Sequence, residues 1–408
     1  MTLPNGREGP GLFAYLRGLQ GTNGGDRRDV IANVFRGLSN RMMSGYLLRE
    51  VINKINQIHF TSSEEIHTLS HLYESMLKEM RDAAGDSGEF YTPRPVIRFM
   101  VQALNPKLGE TVLDPACGTG GFLVESFMHL EKQCKTVQDR KRLQKETIFG
   151  VDAKPLPYML AQMNLLLHGL EFPQIVFDNA LKQPLREITD KDRVDIILTN
   201  PPFGGEEEKG IQGNFPGDRQ TSETALLFLQ LIMRKLRRQP SPGRAAVVVP
   251  NGTLFGDGVC ARIKEDLLNE FNLHTIVRLP NGVFAPYTSI PTNLLFFDRS
   301  GRTKEIWYYE LALPEGRKNY TKTQPMQFAE FSDCLTWWNK REDHAFAWRV
   351  TSDDVRSNNF NLDRKNPRVK DGMTHLPPER LAASILEKEK RISEIVSNIH
   401  SIIAERGE

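Results

Sequence analysis

Asp195-Ile196-Ile197-Leu198-Thr199-Asn200-Pro201-Pro202-Phe203 is an apolar run of strand length that ends in an amide, two prolines and an aromatic ring. Successive prolines stop a strand ladder and fix the backbone beyond it, so the run reads as a strand whose tip holds a planar ligand. The Asn200 side-chain carbonyl and the Pro201 backbone carbonyl can both accept hydrogen bonds from one exocyclic amine, while the Phe203 ring stacks on the heterocycle that carries it. An amine of the adenine type is a poor nucleophile, because its lone pair is delocalised into the ring. Two acceptors on its hydrogens favour the tetrahedral form with the lone pair directed outward, and no strongly basic residue is then required. Taken alone, the same residues read equally well as a tight turn after a buried strand.

Their company separates the two readings. Thr111-Val112-Leu113-Asp114-Pro115-Ala116-Cys117-Gly118-Thr119-Gly120-Gly121-Phe122-Leu123 is a short strand feeding a glycine-rich turn and a helix. Gly118, Gly120 and Gly121 let backbone approach a ligand, and Asp114 can take an ammonium or hydroxyl. The run lacks the spacing of a dinucleotide fingerprint and the lysine of a phosphate loop, which argues against a phosphate cradle. Ile148-Phe149-Gly150-Val151-Asp152 is a second strand ending in a carboxylate, where α/β nucleotide sites grip ribose hydroxyls. A helix over 155–168 and the strand Gln174-Ile175-Val176-Phe177 follow, and Asp178 is a third acidic strand end, able to accept from an adenine amine. Singly, an aspartate after a strand is a common turn residue. Three in succession, then the Asn200 strand, place four polar tips on the carboxyl edge of one parallel sheet, the edge at which open α/β sheets bind ligands.

Upstream, Gly88-Glu89-Phe90-Tyr91-Thr92-Pro93 opens a helix, with Thr92 as N-cap and Pro93 at the first helical position; its free N–H groups could hold a carboxylate. Residues 29–60 repeat apolar positions at helical spacing, with a break near Ser44-Gly45, and Thr61-Ser62-Ser63-Glu64 fits a capping box opening a further helix that Gly85 ends. Residues 1–87 therefore read as a helical domain without chemistry of its own.

Downstream, 132–145 is charged and reads as a solvated helical extension, and 204–220 has the composition of a mobile loop able to cover the site. A buried helix is expected over 226–236, strands over 245–250, 273–279 and 293–297, and an edge strand over 305–310. Phe284 reads either as a flank for the second face of a bound base or, at least as well, as a packed loop aromatic. Residues 311–375 carry Trp337, Trp338 and Trp348 without a readable period. From 376 to 408 an amphipathic helix presents Leu381, Ile385, Ile392, Ile395, Ile399 and Ile402, a stripe that wants a partner, either another subunit or the body of the chain.

A chain of 408 residues exceeds one typical core, so two or three units are expected, with 88–375 carrying the chemistry. A net charge of +2 neither demands nor excludes a nucleic-acid partner. Cys117, Cys134, Cys260 and Cys334 are scattered, without a CxxC pair, so no disulfide framework or zinc site is indicated and a reducing cytoplasm is the expected compartment. No apolar run reaches the roughly 20 residues of a membrane span.

In that order, Phe90-Tyr91-Thr92-Pro93, the run from Asp114 to Phe122 and Asn200-Pro201-Pro202-Phe203 resemble the amino-methylating DNA methyltransferases. More narrowly, the chain is similar from about residue 28 to 365 to the modification subunit of type I restriction-modification systems, including Asn358-Asn359-Phe360-Asn361-Leu362-Asp363. The resemblance implies a Rossmann-like S-adenosylmethionine-dependent α/β sheet between a helical domain and a C-terminal helix. It implies methyl transfer to N6 of a flipped adenine in double-stranded DNA, beside separate specificity and restriction subunits, with two copies of the chain per complex. Tyr91, Thr92, Asp114, Cys117, Gly118, Thr119 and Gly120 would then surround the methionine part of the donor, Asp152 its ribose and Asp178 its adenine. Asn200, Pro201, Pro202 and Phe203 would hold the target. Asp152 departs from the glutamate more frequent in the family. The alternatives are an RNA base-amino methyltransferase with the same pocket, and a silent DNA-binding scaffold, against which the intact acidic tips and Asn200 speak.

Overall fold

The computed structural model describes residues 11–21, 27–36, 42–56, 73, 92–285, 288, 290–368, 386 and 388–397. Among them, nine strands form one sheet: β1 (Val112–Asp114), β2 (Ile148–Asp152), β3 (Gln174–Phe177), β4 (Ile196–Thr199), β5 (Arg244–Pro250), β6 (Asn272–Arg278), β7 (Thr292–Asp298), β8 (Glu305–Glu310) and β9 (Ala347–Thr351), in the order β3-β2-β1-β4-β5-β7-β6-β8-β9. The first five run parallel, as the acidic strand ends require. β7 is antiparallel to both β5 and β6. Strand order reverses between β1 and β4, so the glycine turn and the Asn200 tip flank the crevice where such sheets take ligands.

The two-residue period of a strand decides which core each side chain serves. Ile196 and Leu198 of β4, with Ala246 and Val248 of β5, join the core that takes the helices Arg94–Leu104 and Gly121–Glu131. Ile197, Ala245, Val247 and Val249 face the other way, against Thr224–Lys235 and Val259–Glu270. Thr224–Lys235 is buried without a break from Thr224 to Met233, as its all-round apolar sequence requires. Val137–Glu146 is the solvated extension: Thr136 and Asp139 close its capping box, and Leu143 is its buried residue.

Three expectations are corrected. Glu305–Glu310 is not the sheet edge, because β9 pairs antiparallel with β8 and stacks Trp348 on Tyr308, centroids 5.3 Å apart. Five residues whose outward positions carry arginine and threonine gave no period to read. The loop after Phe203 is not free: Phe215 is buried with Leu181 and Leu227, Asn214 donates to the carbonyls of Leu181 and Lys182 at 2.9 Å each, and Arg219 pairs with Asp266 at 2.7 Å. A buried aromatic and a paired arginine fix what composition alone reads as mobile. Thr92 is not a cap, since Pro93 occupies the N-cap of Arg94–Leu104, which has no side-chain capping bond.

Near the start, Arg27–Arg36 and Gly45–Asn56 are separate helices, the second beginning at the expected break. The capping box at Thr61, the helix running to Gly85, Tyr91 and most of the C-terminal stripe lie outside the described residues. The chain divides into units Met1–Arg364 and Lys365–Glu408; in the second, 388–397 is helical with Ile392, Ile395 and Val396 exposed.

Candidate active site

Asp114 ends β1 and is buried. Its Oδ1 accepts the Ala116 N–H at 3.1 Å, whereas Oδ2 is buried without a partner. Burial pushes this carboxyl up to about 7; the Thr199 hydroxyl and the Ala116 N–H pull it down, and the nearby Asp152 charge adds to the rise. The glycine turn that follows is strapped to β2. Cys117 donates its N–H to the Val151 carbonyl at 3.0 Å, and the Gly118 N–H reaches Asp152 Oδ2 at 2.9 Å. Asp152 Oδ1 accepts the Lys154 N–H, also at 2.9 Å, so both oxygens of this buried carboxylate hold backbone, and burial raises its pKa.

Positive φ at Gly118 (53°) and Gly120 (77°) bends the turn, conformations that favour glycine. Openness towards a ligand is not the duty of every glycine here. A Cβ on Gly120 would lie 3.3 Å from the Ala161 Cβ, and one on Gly121 would lie 2.7 Å from Ile97 Cδ1, so these two serve close helix packing. From the helix Pro155–Leu167, the fully buried Asn164 donates its amide to the Thr119 carbonyl at 2.8 Å and completes the support of the turn. Sequence reading passed over Asn164; the signal was the pair of amides, Gln162 and Asn164, in the otherwise apolar Leu160-Ala161-Gln162-Met163-Asn164-Leu165-Leu166-Leu167.

Asp178 sits just beyond β3, exposed, its N–H on the Asp152 carbonyl at 3.1 Å and its carboxylate 3.3 Å from Lys182. It thus neighbours Asp152 at the same edge, at the solvent side.

On the other side of the crevice, Leu113 pairs with Ile197, so Asp114 and Thr199 end neighbouring strands about 4.8 Å apart. Asn200 follows. Its Nδ2 donates to Thr92 Oγ1 at 2.9 Å, and its Oδ1 is buried without a partner. Pro201 is buried and Pro202 half-buried. Phe203 is partly buried against the core, and its ring meets the buried Phe284 edge-on, centroids 6.5 Å apart. Thus Phe284 supports Phe203 directly.

The Asp114 carboxyl, with the Thr199 hydroxyl beside it, and Asn200 Oδ1, which has no partner, are buried acceptors at the ends of neighbouring strands. Such groups cost free energy unless a donor or cation meets them. A cationic ligand on the carboxylate side and an amine on the amide side would satisfy both. The residues therefore fit a sulfonium methyl donor beside an aromatic amine.

The chain matches the family model described as N-6 DNA Methylase over residues 64–373. It is 49% identical over 402 residues to the type I restriction enzyme EcoEI methylase subunit of Escherichia coli, covering 96% of this chain and 80% of that one. Among solved structures it is similar to a modification subunit ascribed to a type I restriction enzyme from Vibrio vulnificus YJ016, with 68% identity, a TM-score of 0.85, and 92% of this chain and 80% of that chain covered. A chain from a structure of a type I R-M system undergoing assembly and conformational transition shares 40% identity, with a TM-score of 0.80 over 97% and 82% of the two chains.

Proposed function

This chain belongs to the N-6 DNA methylase family as the modification subunit of a type I restriction-modification complex, an adenine-specific DNA methyltransferase, and from that premise we propose how its residues divide the reaction. S-adenosylmethionine supplies an electrophilic methyl on a cationic sulfur. Asp114 and the turn from Cys117 to Gly120 would hold the methionine end of this donor, while Asp152 would meet the ribose and Asp178 the adenine. Asp152 Oδ2 also straps the Gly118 N–H, so the carboxylate that would meet the ribose is the one that fixes the turn.

Across the crevice, Asn200 Oδ1 and the Pro201 carbonyl accept the two N6 hydrogens of an adenine rotated out of the duplex. Pro202 keeps the tip from relaxing into a ladder, and Phe203, backed by Phe284, stacks on the base. Extrusion costs a few kcal/mol. Stacking returns about 1–3 kcal/mol of it. With the amine's lone pair turned outward, alignment of the two reactants supplies most of the acceleration. The observation that carries this reading is Asn200 Oδ1, a buried acceptor without a protein partner at the tip of β4.

The duplex is double-stranded DNA, its sequence read by a separate specificity subunit, with a restriction subunit joining and two copies of this chain in a cytoplasmic complex. No described helix is long and apolar enough to cross a membrane. Labelled methyl transfer by the assembled complex tests the roles. Asn200→Ala is expected to bind the donor as the wild type does and to transfer no methyl to adenine; substantial transfer by that variant refutes the role of Asn200.

A further inference from the structure

We propose that Thr92 is a positioning residue for methyl transfer, its hydroxyl orienting the Asn200 amide so that Oδ1 faces the target amine. The inference rests on the reading of Asn200 given above and deepens it. A primary amide has a donor end and an acceptor end of nearly the same shape, and the terminal torsion that exchanges them is soft. Rotated by half a turn, Asn200 would aim N–H groups at an amine that is itself a donor, and the clamp would repel what it should hold.

Thr92 holds one end of that amide. Its Oγ1 accepts the Asn200 Nδ2 proton at 2.9 Å, which leaves Oδ1 as the end available to an amine. Thr92 is itself buried, so water does not compete for the bond. It also has no local task, because Pro93 stands at the N-cap and the helix Arg94–Leu104 has no side-chain capping bond. That helix is anchored by Val96, Ile97, Phe99 and Met100, all buried in the core that receives β4, and Thr92 lies two residues ahead of its first turn. The geometry assigns the hydroxyl to the acceptor half of the site. Family resemblance instead places Thr92 by the donor's methionine part, and the two assignments separate experimentally.

The test uses the chain assembled with its specificity subunit, comparing Thr92→Val, Thr92→Ser, Asn200→Ala and the Thr92→Val/Asn200→Ala pair. Single-turnover methylation of duplex DNA gives the rate, and isothermal titration with S-adenosylmethionine gives donor affinity. Thr92→Val should slow transfer about 10- to 100-fold, the effect of a misaligned reacting group, with donor affinity unchanged. Thr92→Ser, which keeps the hydroxyl, should restore most of the rate, and the double variant should be no slower than Asn200→Ala. Thr92→Ala gives the same split of rate from affinity if valine disturbs folding. A wild-type rate in Thr92→Val and Thr92→Ala overturns the inference, as does weakened donor binding at an unchanged rate, which would put Thr92 in the donor pocket. Transfer surviving in Asn200→Ala would instead sink the underlying reading, and this inference with it.

Discussion

The Asp152 carboxylate accepts the Gly118 N–H at 2.9 Å, which makes the end of β2 and the turn after β1 a single piece of structure. A charged acceptor on a buried N–H contributes about 1.5–3 kcal/mol. Asp152 holds a second such bond from Lys154. Asp152→Ala should therefore lower the melting temperature and weaken donor binding together, whereas Asp152→Asn, which keeps one carbonyl acceptor, should fall between. Calorimetric melting and donor titration on both variants check this; donor binding lost at wild-type stability would confine Asp152 to the ribose.

Asp114 sets a pH dependence. Its carboxyl is raised to about 7, chiefly by burial, above the ordinary aspartate value of the unfolded chain. The folded state thus binds the extra proton, and the stability this confers is fully present below pH 4 and lost as pH rises towards 7. A cationic donor favours the ionised form, so donor affinity should increase as pH rises through about 7 and then level off. Asp114→Asn should flatten both profiles and be the more stable chain at pH 8. A donor affinity in the wild type that stays constant from pH 6 to 8 would contradict this role.

Close packing beneath the turn makes a third case. A Cβ on Gly121 would lie 2.7 Å from Ile97 Cδ1. Overpacking of this kind costs about 1–3 kcal/mol. The obstructing atom is a single methyl, so Ile97→Val should restore most of the stability lost by Gly121→Ala. Chemical denaturation of the two single variants and the pair measures the coupling, and simple additivity would show that the strain lies elsewhere.

The four strand tips were legible because each is a local pattern: an apolar run, then an acid or an amide, then a turn residue. Their common edge followed from parallel connectivity, and the sheet order bears it out. What was not legible depends on distance along the chain. Thr92 and Asn200 are 108 residues apart, and Thr92 before a proline looks like a cap whatever it touches in space. The glycines after Asp114 look alike in sequence, yet Ala161 and Ile97 on other helices decide what two of them are for. β9 escaped because its neighbour β8, not its own alternation, holds it in the sheet.

Phe203 and Phe284 meet edge to face at 6.5 Å, so the ring offered to the target base is itself held by a buried aromatic. Stacking of a base on such a ring is worth about 1–3 kcal/mol. Removing it in Phe203→Ala should reduce the captured, extruded base by roughly 5- to 150-fold by that amount. Phe203→Trp, which keeps a stacking face, should retain capture. Phe284→Ala leaves the stacking ring but takes away its support, so its loss should be smaller and should disappear in the Phe203→Ala background, where no ring remains to be held. Fluorescence of 2-aminopurine at the target position reports extrusion separately from transfer. Equal losses from Phe203→Ala and Phe284→Ala, adding in the double variant, would mean that Phe284 touches the base itself and the two rings form a sandwich.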